Sequence, residues 1–120
     1  MTRPRLYLDC DGVLFGLYAG HFQLRPDVVG FLDRCTRHFD CRWLTAWPHE
    51  RLQQLLRCIY GSNLRSAIRY TTWIDRKVSA IDLAGDFYWL EDGIAAGDLE
   101  LLQVHGAVHR YIEVNPYGRD

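Results

Sequence analysis

Leu6-Tyr7-Leu8-Asp9-Cys10-Asp11-Gly12-Val13-Leu14 decides the reading of this chain. Three apolar residues run straight into two acids and a glycine. Leu6–Leu8 reads as a short strand buried on both faces, as strands of parallel sheets are. Gly12 permits a sharp turn directly after the acids. In open parallel sheets, ligands bind outside the carboxyl ends of the strands, so acids at a strand end are placed for chemistry.

Outward from this stretch, Leu14 to Leu24 is aromatic and glycine-rich, and Ala19-Gly20 suits the turn of a small hairpin. Pro26 is expected to open a helix at its first position. Val28, Val29, Phe31, Leu32, Cys35 and Phe39 follow at helical spacing. Cys41–Thr45 reads as a second strand. Pro48 opens a second helix with Leu52, Leu55, Leu56 and Ile59 on one face and Gly61 closing it. Ser66–Thr72 is a weaker third strand. Asp75 is expected to cap a short helix through Val78 and Ile81, ended by Gly85. Phe87–Leu90 is a fourth strand, followed by Glu91 and Asp92. Asp98 is expected to cap a last helix through Leu99 and Leu102, closed by Gly106. His109–Val114 completes a five-strand set. This alternation implies one α/β domain over residues 1–120, a parallel sheet with helices on both faces.

Composition agrees with that class. The 120 residues are 48 % hydrophobic and 24 % charged, enough for an ordinary core. A net charge of −1 gives no sign of a strongly basic nucleic-acid binder. No apolar run approaches the roughly 18 residues that span a bilayer, and the polar start is not a signal peptide. Cys10, Cys35, Cys41 and Cys58 form no CxxC pair, so they read as reduced, mostly buried thiols of a cytoplasmic protein. Of the 14 basic residues only Lys77 is lysine, which reads either as a position that needs a compact ammonium in place of a planar fork or as a chance surface lysine.

The strand ends then collect a chemistry. Asp9 and Asp11 follow the first strand, Thr45 ends the second, Glu91 and Asp92 follow the fourth, and Lys77 opens the helix leading into it. Carboxylates gathered on one edge repel one another unless a cation sits among them. A hard divalent ion with oxygen ligands, Mg2+ above all, is the natural occupant.

Asp-x-Asp-Gly-Val after strand one, Thr after strand two, Lys before strand four and an acidic pair after it resemble the haloacid dehalogenase-like (HAD) phosphohydrolases, from Leu6 to about Val114. The resemblance implies a Rossmann-like three-layer sandwich with a mostly parallel five-stranded sheet, and a Mg2+-dependent phosphatase. In that scheme Asp9 is the nucleophile, forming an aspartyl-phosphate. Asp11 protonates the leaving oxygen and later activates water. Asp9, the backbone carbonyl of Asp11 and Asp92 hold Mg2+, Thr45 binds a phosphoryl oxygen, and Lys77 pairs with Asp9 and the phosphoryl group. An acid at position 11 favours a phosphatase or phosphotransferase over halide-removing members. Glu91 departs from the Gly or Asp usual there and reads as holder of a metal-bound water or as a bystander. Asp98 is either a further acid or a helix cap. Residues 12–26 and 61–75 leave room only for a flap and short turns, so this resembles a member with no cap domain and an open site.

His21, Trp47 and His49 are candidate substrate contacts. The aromatic flap of Phe15, Tyr18, His21 and Phe22 either stacks on substrate or packs on the sheet edge. Trp43, Trp73 and Trp89 read as packing, Cys10 as a core thiol. Arg65, Arg69 and Arg76 read as a solvated face or a distal phosphate contact. The substrate class is open between metabolite, phosphoprotein and nucleic-acid end, and so is homo-oligomerisation. The competing readings are a phosphoacceptor domain of the receiver type, whose motif order differs, and a family member that binds without cleaving.

Overall fold

Leu6, Tyr7 and Leu8 are buried in β1 (Arg5–Leu8), the middle strand of a five-stranded sheet in a computed structural model of the chain. The structure describes residues 3–18, 20–60 and 68–114. After β1 come a hairpin, β2 (Phe15–Tyr18) and β3 (His21–Leu24), then α1 (Val28–His38), β4 (Asp40–Trp43), α2 (His49–Tyr60) and β5 (Arg69–Tyr70). A 3₁₀ turn at Lys77–Ala80 leads into β6 (Phe87–Glu91), followed by α3 (Ala96–Val104), a second 3₁₀ turn at Val108–Arg110 and β7 (Tyr111–Glu113). The sheet order is β5-β4-β1-β6-β7, with every neighbouring pair parallel. The hairpin is a separate two-stranded sheet.

Side-chain alternation along β1 sorts the core into two layers. Leu6, Leu8 and Cys10 pack with Val28 and Leu32 of α1 and Leu52 and Leu56 of α2. Tyr7, Phe87 and Trp89 pack on the other face with Val78 of the first 3₁₀ turn and Leu102 of α3. Both faces of a parallel sheet are thereby covered, as the apolar run of β1 requires. The architecture is α/β and Rossmann-like. Among the described residues, no helix is long and apolar enough to cross a membrane.

The topology fixes where a site can form. From β1 the chain moves outward through β4 to β5, then returns to lay β6 on the opposite side of β1. The strand order reverses between β1 and β6, and their carboxyl ends frame the crevice where open α/β sheets bind ligands.

Several boundaries differ from the sequence expectation. Asp27 occupies the N-cap of α1, so Pro26 lies one residue outside the helix rather than at its first position. Val29 is 51 % exposed, because the buried stripe of α1 runs through Val28, Leu32 and Cys35. Asp75 caps nothing: it holds a left-handed φ of 65°, and Arg76 precedes the turn. Asp98 is not the cap of α3 either. Ala95 takes that position, and Asp98 is buried in the first turn. His109 lies in a 3₁₀ turn, so the last strand is shorter than expected. Gly106 does close α3 as expected, with φ of 64° and the Ala107 amide donating to the Leu102 carbonyl at 2.8 Å. Ala19 of the hairpin turn, Gly61, Arg65 and Ser66 lie outside the described residues.

All four cysteines are free; Cys10, Cys35 and Cys41 are buried and Cys58 is exposed. Burial pushes the thiols of Cys10 and Cys41 up to about 12. A thiol reagent at neutral pH is therefore expected to modify Cys58 alone in the folded chain and all four cysteines in denaturant. Mass mapping of the modified peptides checks this, and early labelling of Cys10 would contradict it.

Candidate active site

β1 ends at Leu8 and aims Asp9 out of the sheet beside β6. The register pairs Leu8 with Leu90 and with Trp43, so the next residues along, Glu91 and Leu44, flank Asp9. Asp9 and Glu91 lie on the sheet face that carries Tyr7 and Trp89, and both are buried. The 3₁₀ turn on that face delivers Lys77. Its Nζ lies 3.1 Å from Asp9 Oδ2 and 2.7 Å from Glu91 Oε2. The other Asp9 oxygen, Oδ1, accepts the Cys10 amide at 2.7 Å.

Gly12 brings the fourth member close. Its φ of 79° is one that L side chains rarely adopt, and a Cβ there would overlap the Asp92 side chain. Glycine at position 12 thus serves the turn and the approach of Asp92 together. Carboxylate oxygens of Asp9, Glu91 and Asp92 lie within 4.8 Å of one another. These are hard oxygen donors, the ligand chemistry of a Mg2+ or Ca2+ site and not of a zinc site.

Thr45 is buried two residues beyond β4, and its Oγ1 accepts the Trp47 amide at 3.2 Å. The Trp47 indole donates to Asp11 Oδ1 at 3.3 Å. Trp47 is therefore the tie between the loop after β4 and the exposed second acid. Arg51 stacks over its ring at 4.1 Å, and Phe15 of the hairpin meets it at 5.4 Å. Phe22 stacks on Phe15 at 5.9 Å, so the hairpin packs onto the loop that holds Thr45. The side chain of Tyr18 lies outside the description. His49 is exposed at the start of α2, with its ring 4.8 Å from Tyr70. His21 is exposed on β3. Arg69 is exposed on the short edge strand, and Arg76 pairs with Asp98 at 3.7 Å.

A scan against protein-family models finds no match, and no curated protein matches the sequence.

The electrostatics are those of two buried carboxyl groups sharing one ammonium. Burial pushes Glu91 up to about 9, and the hydrogen bond and charge of Asp9 push the same way, against the opposing pull of Lys77. Burial works against the Lys77 charge, yet Asp9 and Glu91 outweigh it and hold the ammonium above its ordinary value. A raised folded-state value means that the folded chain keeps a proton on Glu91 that the unfolded chain releases. In the metal-free protein, stability is expected to fall as pH rises from about 4.5 to about 9. Thermal unfolding in a chelator checks the slope. Glu91→Gln should flatten it, and a wild-type midpoint that climbs across that window would contradict it.

Trp73, expected to be packing, borders the site, and so does Tyr70, which nothing in the sequence singles out. The Trp73 indole donates to the Thr45 carbonyl at 2.9 Å, and the Tyr70 hydroxyl donates to the Trp47 carbonyl at 2.6 Å. Trp73 lines a cavity of about 370 Å³ beside Thr45 and another of about 510 Å³ beside Lys77 and Glu91. Both residues sit at or just past the end of β5, a strand of two residues whose end does not stand out in the sequence. Trp43 and Trp89 are core residues as expected, each 1 % exposed.

Proposed function

We propose that the chain is a Mg2+-dependent phosphomonoesterase of the HAD type, without a cap domain, that works through an aspartyl-phosphate on Asp9. The observation that carries this reading is the contact of Lys77 with Asp9 Oδ2 at 3.1 Å, on the edge that also carries Thr45 and Asp92. A buried carboxylate fixed by an amide on one oxygen and an ammonium on the other is oriented as a nucleophile, with cationic charge placed where phosphoryl oxygens arrive.

Asp9 attacks phosphorus, and the bond to the leaving alkoxide breaks. Asp11, steadied by the Trp47 indole, delivers a proton to that oxygen. Asp11 then takes a proton from water, which attacks the phosphorus and frees Asp9 and inorganic phosphate. Thr45 and Lys77 hold the phosphoryl oxygens through both steps. Glu91 is a positioning residue, because its 2.7 Å contact fixes the Lys77 ammonium beside Asp9. Asp9, Asp92 and the carbonyl oxygen of Asp11 would hold Mg2+, which supplies charge neutralisation between carboxylate and phosphate.

The test is a phosphoenzyme trap. Incubation with a ³²P-labelled phosphate ester and Mg2+, followed by acid quench, should leave label that hydroxylamine removes and that maps to the peptide holding Asp9. Label on a serine or histidine, or none alongside measurable turnover, would refute the mechanism. Mg2+ binding without turnover on any phosphate ester would support a member that binds without cleaving.

A further inference from the structure

Among the described residues, three buried side-chain polar atoms have no hydrogen-bond partner: Trp43 Nε1, Trp89 Nε1 and Asp98 Oδ1. Trp89 and Asp98 both line the cavity of about 510 Å³ beside Lys77 and Glu91. That volume falls within the range of about 300–1,000 Å³ usual for small-molecule sites. The Asp98 side chain is 9 % exposed, and its nearest cation is Arg76 at 3.7 Å, beyond hydrogen-bond reach and itself 52 % exposed. Gly97 is what lets Arg76 lie there, because a Cβ at that position would run into the guanidinium. A buried carboxylate held this loosely lowers stability, so its presence calls for a donor from outside the chain.

The walls define the donor. Arg76 and Lys77 repel an ammonium group. Asp75 and Asp98 repel a second phosphate or a carboxylate. A neutral group rich in hydroxyls meets both signs of charge with hydrogen bonds, and the Trp73 ring offers apolar surface to its C–H face.

We propose that this cavity seats the hydroxyl-bearing leaving group of a sugar or polyol phosphate, with Asp98 Oδ1 accepting a hydrogen bond that one of its hydroxyls donates. The proposal rests on the phosphomonoesterase reading for the position of the phosphate, and the binding arm of its test is independent of turnover.

In that arm, sorbitol or D-glucose is titrated into the metal-free protein while the indole N–H resonances of Trp73 and Trp89 are followed. Saturable shifts that Asp98→Ala abolishes are expected. No shift at any concentration overturns the proposal. Shifts in a protein that hydrolyses no phosphate ester overturn the phosphatase reading alone. In the kinetic arm, the preference for glucose 6-phosphate over phenyl phosphate, as a ratio of kcat/KM values, should fall about 10- to 100-fold in Asp98→Ala, chiefly through KM. An unchanged ratio overturns the proposal. In the stability arm, Asp98→Ala and Asp98→Leu should melt at or above the wild-type temperature. Lower melting in both assigns Asp98 a structural role and overturns it.

Discussion

Asp9→Asn is expected to lower phosphate-ester turnover by about 10⁴-fold or more and to abolish the hydroxylamine-sensitive phosphoenzyme. The carboxamide is close in size and keeps an oxygen for the Cys10 amide, so the β1 end should hold its shape. It carries no charge and is a poor nucleophile towards phosphorus. Lys77 retains Glu91 at 2.7 Å, so the buried ammonium is not stranded. The measurement pairs steady-state kinetics with circular dichroism and thermal unfolding. Turnover within about tenfold of wild type in a properly folded variant would remove Asp9 from the mechanism.

Lys77→Met carries the largest expected effect on the fold. It leaves Asp9 and Glu91 buried together with no cation between them. Removing one partner of a buried ionic cluster costs about 3–5 kcal/mol, against the roughly 5–15 kcal/mol that holds a typical domain together. Lys77→Arg should not restore the site, because a planar fork does not fit where one compact ammonium touches two carboxylates. Adding Asp9→Asn to Lys77→Met should recover most of the loss, since the buried charge that lost its cation is removed with it. Urea titrations of the three variants in a chelator check the series. A Lys77→Met chain as stable as wild type would mean that the ion triad contributes nothing to folding.

The legible part of this molecule is the part written locally. Leu6–Leu8 running into Asp9, and Phe87–Leu90 running into Glu91, signal a strand and an acid at its end, and both strands are found there with the acids buried. The lone lysine was legible for a different reason: in a chain that otherwise uses arginine, its survival pointed to a geometric demand, and Lys77 sits between two acids. Glu91 was harder. Whether it faces the crevice or the solvent depends on the register of β6 against β1, and that pairing joins distant parts of the chain. Asp98 misled because an acid near a helix start satisfies the cap rule and the buried first-turn position equally well. Tyr70 and Trp73 were hidden by the weakness of β5, a strand of two residues whose end does not stand out in sequence.

The sheet order also bears on how the chain is made. β1 leaves the ribosome well before one of its two neighbours, β6, with two helices and four other strands made in between. Until then an apolar strand waits with an open edge, the condition under which nascent chains associate wrongly. The same delay leaves Asp9 without its lysine, so a prematurely terminated product would carry the acid and lack the centre.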